Sequence, residues 1–497
     1  MAKRNDVFSY GSAAIPTGES KYSVIRWGWN GLNRTDQIDS GGITDCAGVV
    51  IDPPYVTPAL VPHEFAGYSE PISVHGFDDR LFVVYRDGGK IKVDCLDEEG
   101  NRYTGVLGDA LGTEEDFRPR SMVQFNVASN TENIVEAEYV RKLLIFPDRY
   151  SMDFDITADF ETAYLGDAYP GLNLATVYGS RVFGVDENLV YASSHNDYAD
   201  WDLDTAAGYS EANAWVSMSQ SNVKADGEFT ALATYDNHVL LFKKDYLQLV
   251  YNNKNPFRIV DVGSYGCDNP YAVTEMDGVL YFASPTAIYS FSGGTPKEIG
   301  KDLDLSSCRG AVLGSWDGTM YIYADDMLYS YSDGVWSSGG AVSSPIRQFA
   351  SCDWGIAALC EDGTIRFVDW LRDGSGGIPG SWPAEYGSSD GGYWWFETDF
   401  MAVGKLDVRR VKKLSLLCDV DPGAFAAVYL LKDGEEFDPV TTPMIGKTTG
   451  DGRVLLRVLV RMMSAYMHRL RIVGRGKVKI HAAEIQISWG GDVYAEG

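Results

Sequence analysis

The chain has 497 residues, 45% of them hydrophobic and 13% aromatic, with 53 Gly and a formal charge of −28. That composition excludes a disordered or fibrous chain and leaves room for roughly two to four folded domains. So acidic a balance also opposes binding driven by phosphate contacts, whether to nucleic acid or to anionic lipid.

The opening MAKRNDVFSYGSAAIP lacks the apolar core of a secretory signal. RVLLRVLVRMM, the most apolar helix-like stretch, carries three Arg and falls short of the roughly 18 apolar residues of a span, so no membrane insertion is expected. Seven Cys (46, 95, 267, 308, 352, 360 and 418) are odd in number and lack CxxC spacing. They read as reduced, buried thiols, and six dispersed His offer no zinc pattern. No cofactor is expected.

Residues 1–70 are Gly- and Pro-rich with little periodicity. Pro53, Pro54, Pro58 and Pro62 force extended backbone and remove sheet donors, so this segment reads as an extended N-terminal arm laid over the rest.

From Pro71 a unit of short strands recurs. Its clearest copies are FTALATYDNHVLLFKKDYLQLVYNN from Phe229 and YAVTEMDGVLYFASPTAIYSFSGG from Tyr271. Each is an apolar run ending in Asp-Asn or Asp-Gly, a second β-rich run, a polar turn and a third run. Asn-Gly-type pairs supply tight turns, and β-branched and aromatic residues suit a pleated sheet. The hairpin core can be read seven times: 78–95, 141–155, 179–193, 236–251, 277–291, 317–331 and 353–369. From Asp236 the spacing is 41, then 40, then 36. A period near 40 built from short strands predicts a β-propeller over 71–370, with seven blades counted and six or eight allowed. The longer interval after Gly179 predicts a rim insertion at about 201–228.

Residues 371–392 are Gly/Ser/Pro-rich and read as a linker. Over 393–497 strand patterns return, and alternation at Leu470-Arg471-Ile472 and Val478-Lys479-Ile480 predicts a C-terminal β-sandwich. The fold class is therefore all-β. Residues 401–481 hold 15 Lys and Arg against 8 Asp and Glu, a local +7 that leaves −35 on the remainder. Arg469, Arg471 and Lys479, with Trp201 on the rim, are the candidate interaction surface; a merely solvated strand face is the alternative.

Asp200, Asp202 and Asp204 would share one face of an extended strand, a weak candidate for a calcium site, since the Gly turn and terminal Glu of an EF-hand loop are missing. Ser315-Trp316-Asp317-Gly318-Thr319 is similar to the Asp-box turn of sialidases, without its spacing or closing Trp. No GxSxG, HExxH, Walker A or Rossmann fingerprint is present, and no catalytic residue is assigned. The 30 Tyr and 12 Trp read as blade core first and as a sugar-binding surface second.

Five segments in order carry a resemblance: Gly31–Asn33 with Asp45–Pro62, Ser180–Trp201, Ala231–Tyr251, Gly263–Leu303, and Phe396–Phe400 through His468–Ile487. Their sequence along the chain resembles the β-propeller hub or nozzle proteins of phage virions, including the packaged-DNA stabilisation proteins of short-tailed phages. The resemblance implies a non-enzymatic tail component in the virion, assembled in the host cytoplasm as a homo-oligomeric ring around the DNA channel. It would retain packaged DNA and conduct it on ejection without binding it specifically. Its partners would be other virion proteins such as portal, adaptor or tail fibres. The alternatives are a carbohydrate-binding host-recognition module at the tail tip and, behind that, a propeller glycosidase, which would need paired carboxylates or a Tyr nucleophile with Arg neighbours.

Overall fold

A computed structural model describes residues 22–27, 29, 31–34, 42–58, 63–110, 118–128, 139–167, 169–203, 210–217, 227–252, 254–368, 393–398, 409–421, 424–432, 438–439, 453–465 and 468–489. Seven four-stranded antiparallel sheets follow one another along the chain as the blades of a β-propeller.

The first strands lie outside the propeller: β1 (Tyr22–Trp27), β2 (Ile43–Ala47), β3 (Val49–Asp52) and β4 (Tyr55–Pro58), followed by β5 (His63–Gly67). Blade 1 is β6 (Pro71–Phe77), β7 (Arg80–Asp87), β8 (Lys90–Leu96) and β9 (Arg102–Asp109). Blade 2 is β10 (Ser121–Ala128), β11 (Tyr139–Phe146), β12 (Tyr150–Asp153) and β13 (Ala163–Tyr164). Blade 3 is β14 (Leu174–Tyr178), β15 (Arg181–Asp186), β16 (Leu189–Ala192) and β17 (Trp215–Val216). Blade 4 is β18 (Phe229–Tyr235), β19 (His238–Lys243), β20 (Tyr246–Tyr251) and β21 (Arg258–Gly263). Blade 5 is β22 (Val273–Met276), β23 (Val279–Ala283), β24 (Ile288–Phe291) and β25 (Lys297–Glu298). Blade 6 is β26 (Val312–Trp316), β27 (Thr319–Ala324), β28 (Met327–Ser332) and β29 (Val335–Ala341). Blade 7 is β30 (Ile346–Cys352), β31 (Gly355–Cys360) and β32 (Thr364–Phe367), completed by β5.

The seven hairpins expected from the sequence are the second and third strands of the seven blades. Their leading turns need left-handed backbone, and Asp78, Asp236, Asp277 and Asp317 adopt it at φ of 44°, 50°, 53° and 46°. The apolar runs behind the turns pack between blades. Phe82 and Ile145 share one cluster across blades 1 and 2, Phe183 and Val239 another across blades 3 and 4. Phe242 of blade 4 meets Phe282 of blade 5 with ring centroids 5.1 Å apart.

Ring closure is non-local. β5 pairs with β32, Ala66 opposite Ile365, so the outer strand of the last blade comes from the start of the chain.

Beyond the propeller run β33 (Tyr393–Thr398), β34 (Arg409–Val420), β35 (Phe425–Lys432), β36 (Asp438–Pro439), β37 (Arg453–Ala465), β38 (His468–Arg475) and β39 (Val478–Trp489). They form two sheets, ordered β3-β4-β39-β34-β37 with β1 also on β39, and β2-β33-β38-β35-β36. Leu414, Leu416 and Ile480 of the first sheet share a core with Phe396, Val428 and Ile472 of the second. The two therefore pack as a sandwich.

The N-terminal segment, expected as an extended arm laid over the rest, contains short strands. Four of its strands are built into the sandwich and a fifth closes the propeller. It also joins the two bodies, since Leu32 N–H donates to the Trp336 carbonyl at 3.0 Å and Ile51 N–H to Ser337 Oγ at 2.9 Å, both acceptors on β29 of blade 6. The 201–228 insertion is divided: β17 within it is the outer strand of blade 3, while 204–209 and 218–226 lie outside the described residues. So does the expected linker 371–392.

Candidate functional site

The basic residues singled out from the sequence are half-buried against neighbours on their own sandwich. Glu397 of β33 is 5% exposed, a costly place for a carboxylate unless its charge is met. Arg469 Nη1 lies 3.2 Å from its Oε2, and Arg471 pairs with its Oε1. Arg469 also donates to the Thr398 carbonyl and to Thr44 Oγ1, each at 3.2 Å, and so ties β38 to β33 and to the threonine of β2. Arg471 lies over the Trp395 ring at 5.2 Å and Lys479 over Tyr55 at 4.0 Å. The structure thus gives each of the three an intramolecular partner. What joins the sandwich to its own propeller is instead β2, β3 and Arg34. The Arg34 guanidinium spans from Asp45 at 2.7 Å to Tyr329 Oη at 2.9 Å, and the Arg34 backbone N–H donates to the Asp302 carbonyl.

Trp201 and the acidic triplet lie in the connection between β16 and β17. Trp201 is half-buried against Tyr169, ring centroids 5.2 Å apart, and its Nε1 donates to the Tyr198 carbonyl, so its ring packs rather than projects. Asp200 accepts the Asp202 N–H at 3.0 Å, which is a turn; the extended strand that would align Asp200, Asp202 and Asp204 is not formed through Asp202, and Asp204 lies outside the described residues. Among the described residues, no group of three or more His, Cys, Asp or Glu could hold a metal ion. All seven Cys are buried and free, and burial pushes the Cys46 thiol up to about 12.

Sequence reading missed the residue that shapes this loop. Arg181, 1% exposed, donates to the carbonyls of Ser193 at 2.5 Å, Glu211 at 2.6 Å and Asn213 at 2.9 Å. Its place directly after the Gly179-Ser180 turn was legible, but nothing local shows that it reaches carbonyls as far as 32 residues ahead.

Two more buried polar groups stand out. Asp94 of β8 is fully buried and accepts from Thr104 Oγ1 at 2.8 Å, Tyr85 Oη at 3.0 Å and Tyr68 Oη at 3.1 Å. Burial, then the Asp94 charge, raises both phenols, which makes them poor nucleophiles. The cluster fastens β9 and the segment before β6 to the middle of blade 1. At the other, Arg120 pairs with Asp148 through Nε at 2.9 Å and Nη2 at 3.1 Å, and its backbone meets the Tyr271 hydroxyl.

No family model matches the chain, and no curated protein matches it. Among solved structures it is similar to the WD40 domain of Toxoplasma gondii coronin, at 12% identity over 65% of this chain and 87% of that one, TM-score 0.38. It is similar also to the extracellular domain of a one component system from B. thetaiotaomicron, at 9% identity over 86% of this chain and 63% of that one, TM-score 0.39. A third similarity is to an exo-beta-1,3-galactanase from Phanerochaete chrysosporium, at 9% identity over 86% and 100%, TM-score 0.24.

Proposed function

We propose that the protein is a structural, non-enzymatic subunit of a phage tail, forming a homo-oligomeric hub or nozzle ring around the DNA channel. The observation that carries this reading is the distribution of charge on one propeller face. The turns between first and second strands present exposed carboxylates from five blades, Asp79, Asp236, Asp277, Asp317 and Asp353. A surface of that sign does not hold a phosphate backbone that must slide past it. A propeller whose ring is closed by its own N-terminal strand, and whose blade 6 is joined to a sandwich, also suits a part that bears load without opening.

Negative-stain microscopy of the purified chain across a concentration series, paired with its mass in solution, tests the reading. Closed rings with a lumen support it and give the symmetry. Monomers at every concentration that also bind a defined sugar on a glycan array overturn it in favour of the recognition module, for which half-exposed Tyr164 beside Tyr150, centroids 5.3 Å apart, is the specific observation.

A further inference from the structure

Each innermost strand starts at the same face of the propeller, so the residues just before these strands surround one mouth of the central channel. Arg120 immediately precedes β10 of blade 2, and Tyr271 stands two residues before β22 of blade 5. In a ring of seven these blades are three apart, on opposite sides of the axis. Yet the Tyr271 hydroxyl accepts the Arg120 N–H at 3.2 Å and donates to the Arg120 carbonyl at 3.3 Å. One phenol satisfies both backbone groups of a residue 151 positions away.

The surroundings fix both ends of this contact. Tyr271 packs against the cluster between blades 6 and 7, and its own carbonyl accepts the Leu313 N–H at 2.8 Å on blade 6. Arg120 is 2% exposed and held by two bonds to Asp148, in the turn between the second and third strands of blade 2. Arg347 of blade 7 approaches the same mouth and donates to the Pro71 carbonyl of blade 1 at 3.3 Å. Side chains or backbone of blades 1, 2, 5, 6 and 7 thus converge there, and burial pushes the Tyr271 phenol up to about 12, consistent with a hydroxyl kept protonated to donate.

We infer that Tyr271 is a tie across the propeller axis that closes this mouth of the channel, so the propeller's own channel is not a conduit. The consequence for DNA rests on the ring reading above: the lumen it passes through is the space between copies of the chain. The tie itself stands on the hydrogen bonds and not on that reading.

Amide hydrogen exchange on the full chain, in the native protein and in Tyr271→Phe, tests it. The substitution keeps the ring and removes the hydroxyl. The Arg120 amide is expected to exchange at least tenfold faster in the variant, while the Leu313 amide, bonded to the Tyr271 main chain, keeps its rate and reports an intact fold. Equal Arg120 rates in the two proteins, or an unprotected Arg120 amide in the native one, would overturn the tie. Should the variant lose protection at Leu313 as well, Asp148→Asn supplies the second test: it loosens the Arg120 side chain but leaves the Tyr271 hydroxyl on the Arg120 backbone, so the Arg120 amide should keep its protection, and its loss with Leu313 unchanged would show that the carboxylate and not the phenol holds Arg120, which overturns the tie. Monomers that bind a defined sugar would remove the ring reading and leave these exchange results as they are.

Discussion

The Gln348 side chain of blade 7 bonds both backbone groups of Val74 in blade 1: its Oε1 accepts the Val74 N–H at 3.1 Å, and its Nε2 donates to the Val74 carbonyl. A side-chain amide here takes the place of a neighbouring strand at the seam where the ring closes.

Gln348→Leu is expected to cost about 2–6 kcal/mol, because it strands one buried donor and one buried acceptor, each worth roughly 1–3 kcal/mol. Gln348→Glu keeps an acceptor for the N–H but sets a second acceptor, charged when ionised, against the buried Val74 carbonyl, and should cost at least as much at neutral pH. Urea unfolding followed by Trp fluorescence measures both. A loss below about 0.5 kcal/mol for Gln348→Leu would mean that the seam is held by β5 and the blade cores alone.

Arg181 should behave as the keystone of the blade 3 loop. Arg181→Met keeps the apolar stem and removes the donors, leaving the carbonyls of Ser193, Glu211 and Asn213 without this partner. Limited proteolysis should then cut between 195 and 212 at least tenfold faster, with the rest of the propeller resistant. An unchanged cleavage rate would show that backbone bonds such as His195 N–H to the Ala212 carbonyl hold the loop without it.

How far these features were legible depends on the distance over which each is encoded. The middle hairpin of every blade is local: Asp277-Gly278 specifies the turn that leads into it, and Val279–Ala283 and Ile288–Phe291 supply its two runs. β5 is not. His63–Gly67 is five residues without strong alternation, preceded by prolines, and its partner lies about 300 positions away, so nothing near it marks a strand. For the same reason β1, β2 and β4 read as an arm: each pairs with β33 or β39 at the other end of the chain, while β3 pairs with its neighbour β4 across the prolines. The intramolecular partners of the candidate surface were hidden differently. Arg469 and Arg471 alternate with apolar residues as a solvated face would, but the facing residue is a buried glutamate whose position no local pattern reveals. The even spacing of Asp200 and Asp202 would suit one face of a strand, whereas Asp side chains compete for nearby N–H groups and form turns.

Glu397→Gln would remove the charge that both arginines share while keeping the side chain's shape. Because Arg469 and Arg471 retain about a quarter of their exposure, the loss is discounted from that of a fully buried pair to about 1–3 kcal/mol. Thermal unfolding at low and at 0.5 M salt distinguishes two outcomes. A penalty that persists at both salts fits a carboxylate buried between its partners, and one that vanishes with salt would place the contact at the surface.

His75 lies on β6 with Nε2 3.0 Å from Ser73 Oγ, and burial lowers its pKa to about 3. The unfolded chain, with an imidazole near 6.5, binds the proton more readily than the folded one. The contribution of a neutral His75 is therefore complete above about pH 6.5 and drains away as the pH falls toward 3. Each unit in that window removes about 1.4 kcal/mol, and since the ring keeps some contact with solvent the loss at pH 5 is taken as about 1–2 kcal/mol. His75→Gln, which cannot titrate, should lose less stability than the native chain between pH 7.5 and pH 5 by that amount, measured by urea unfolding at both. Equal losses in the two proteins would mean that the His75 ring takes up its proton without leaving the fold.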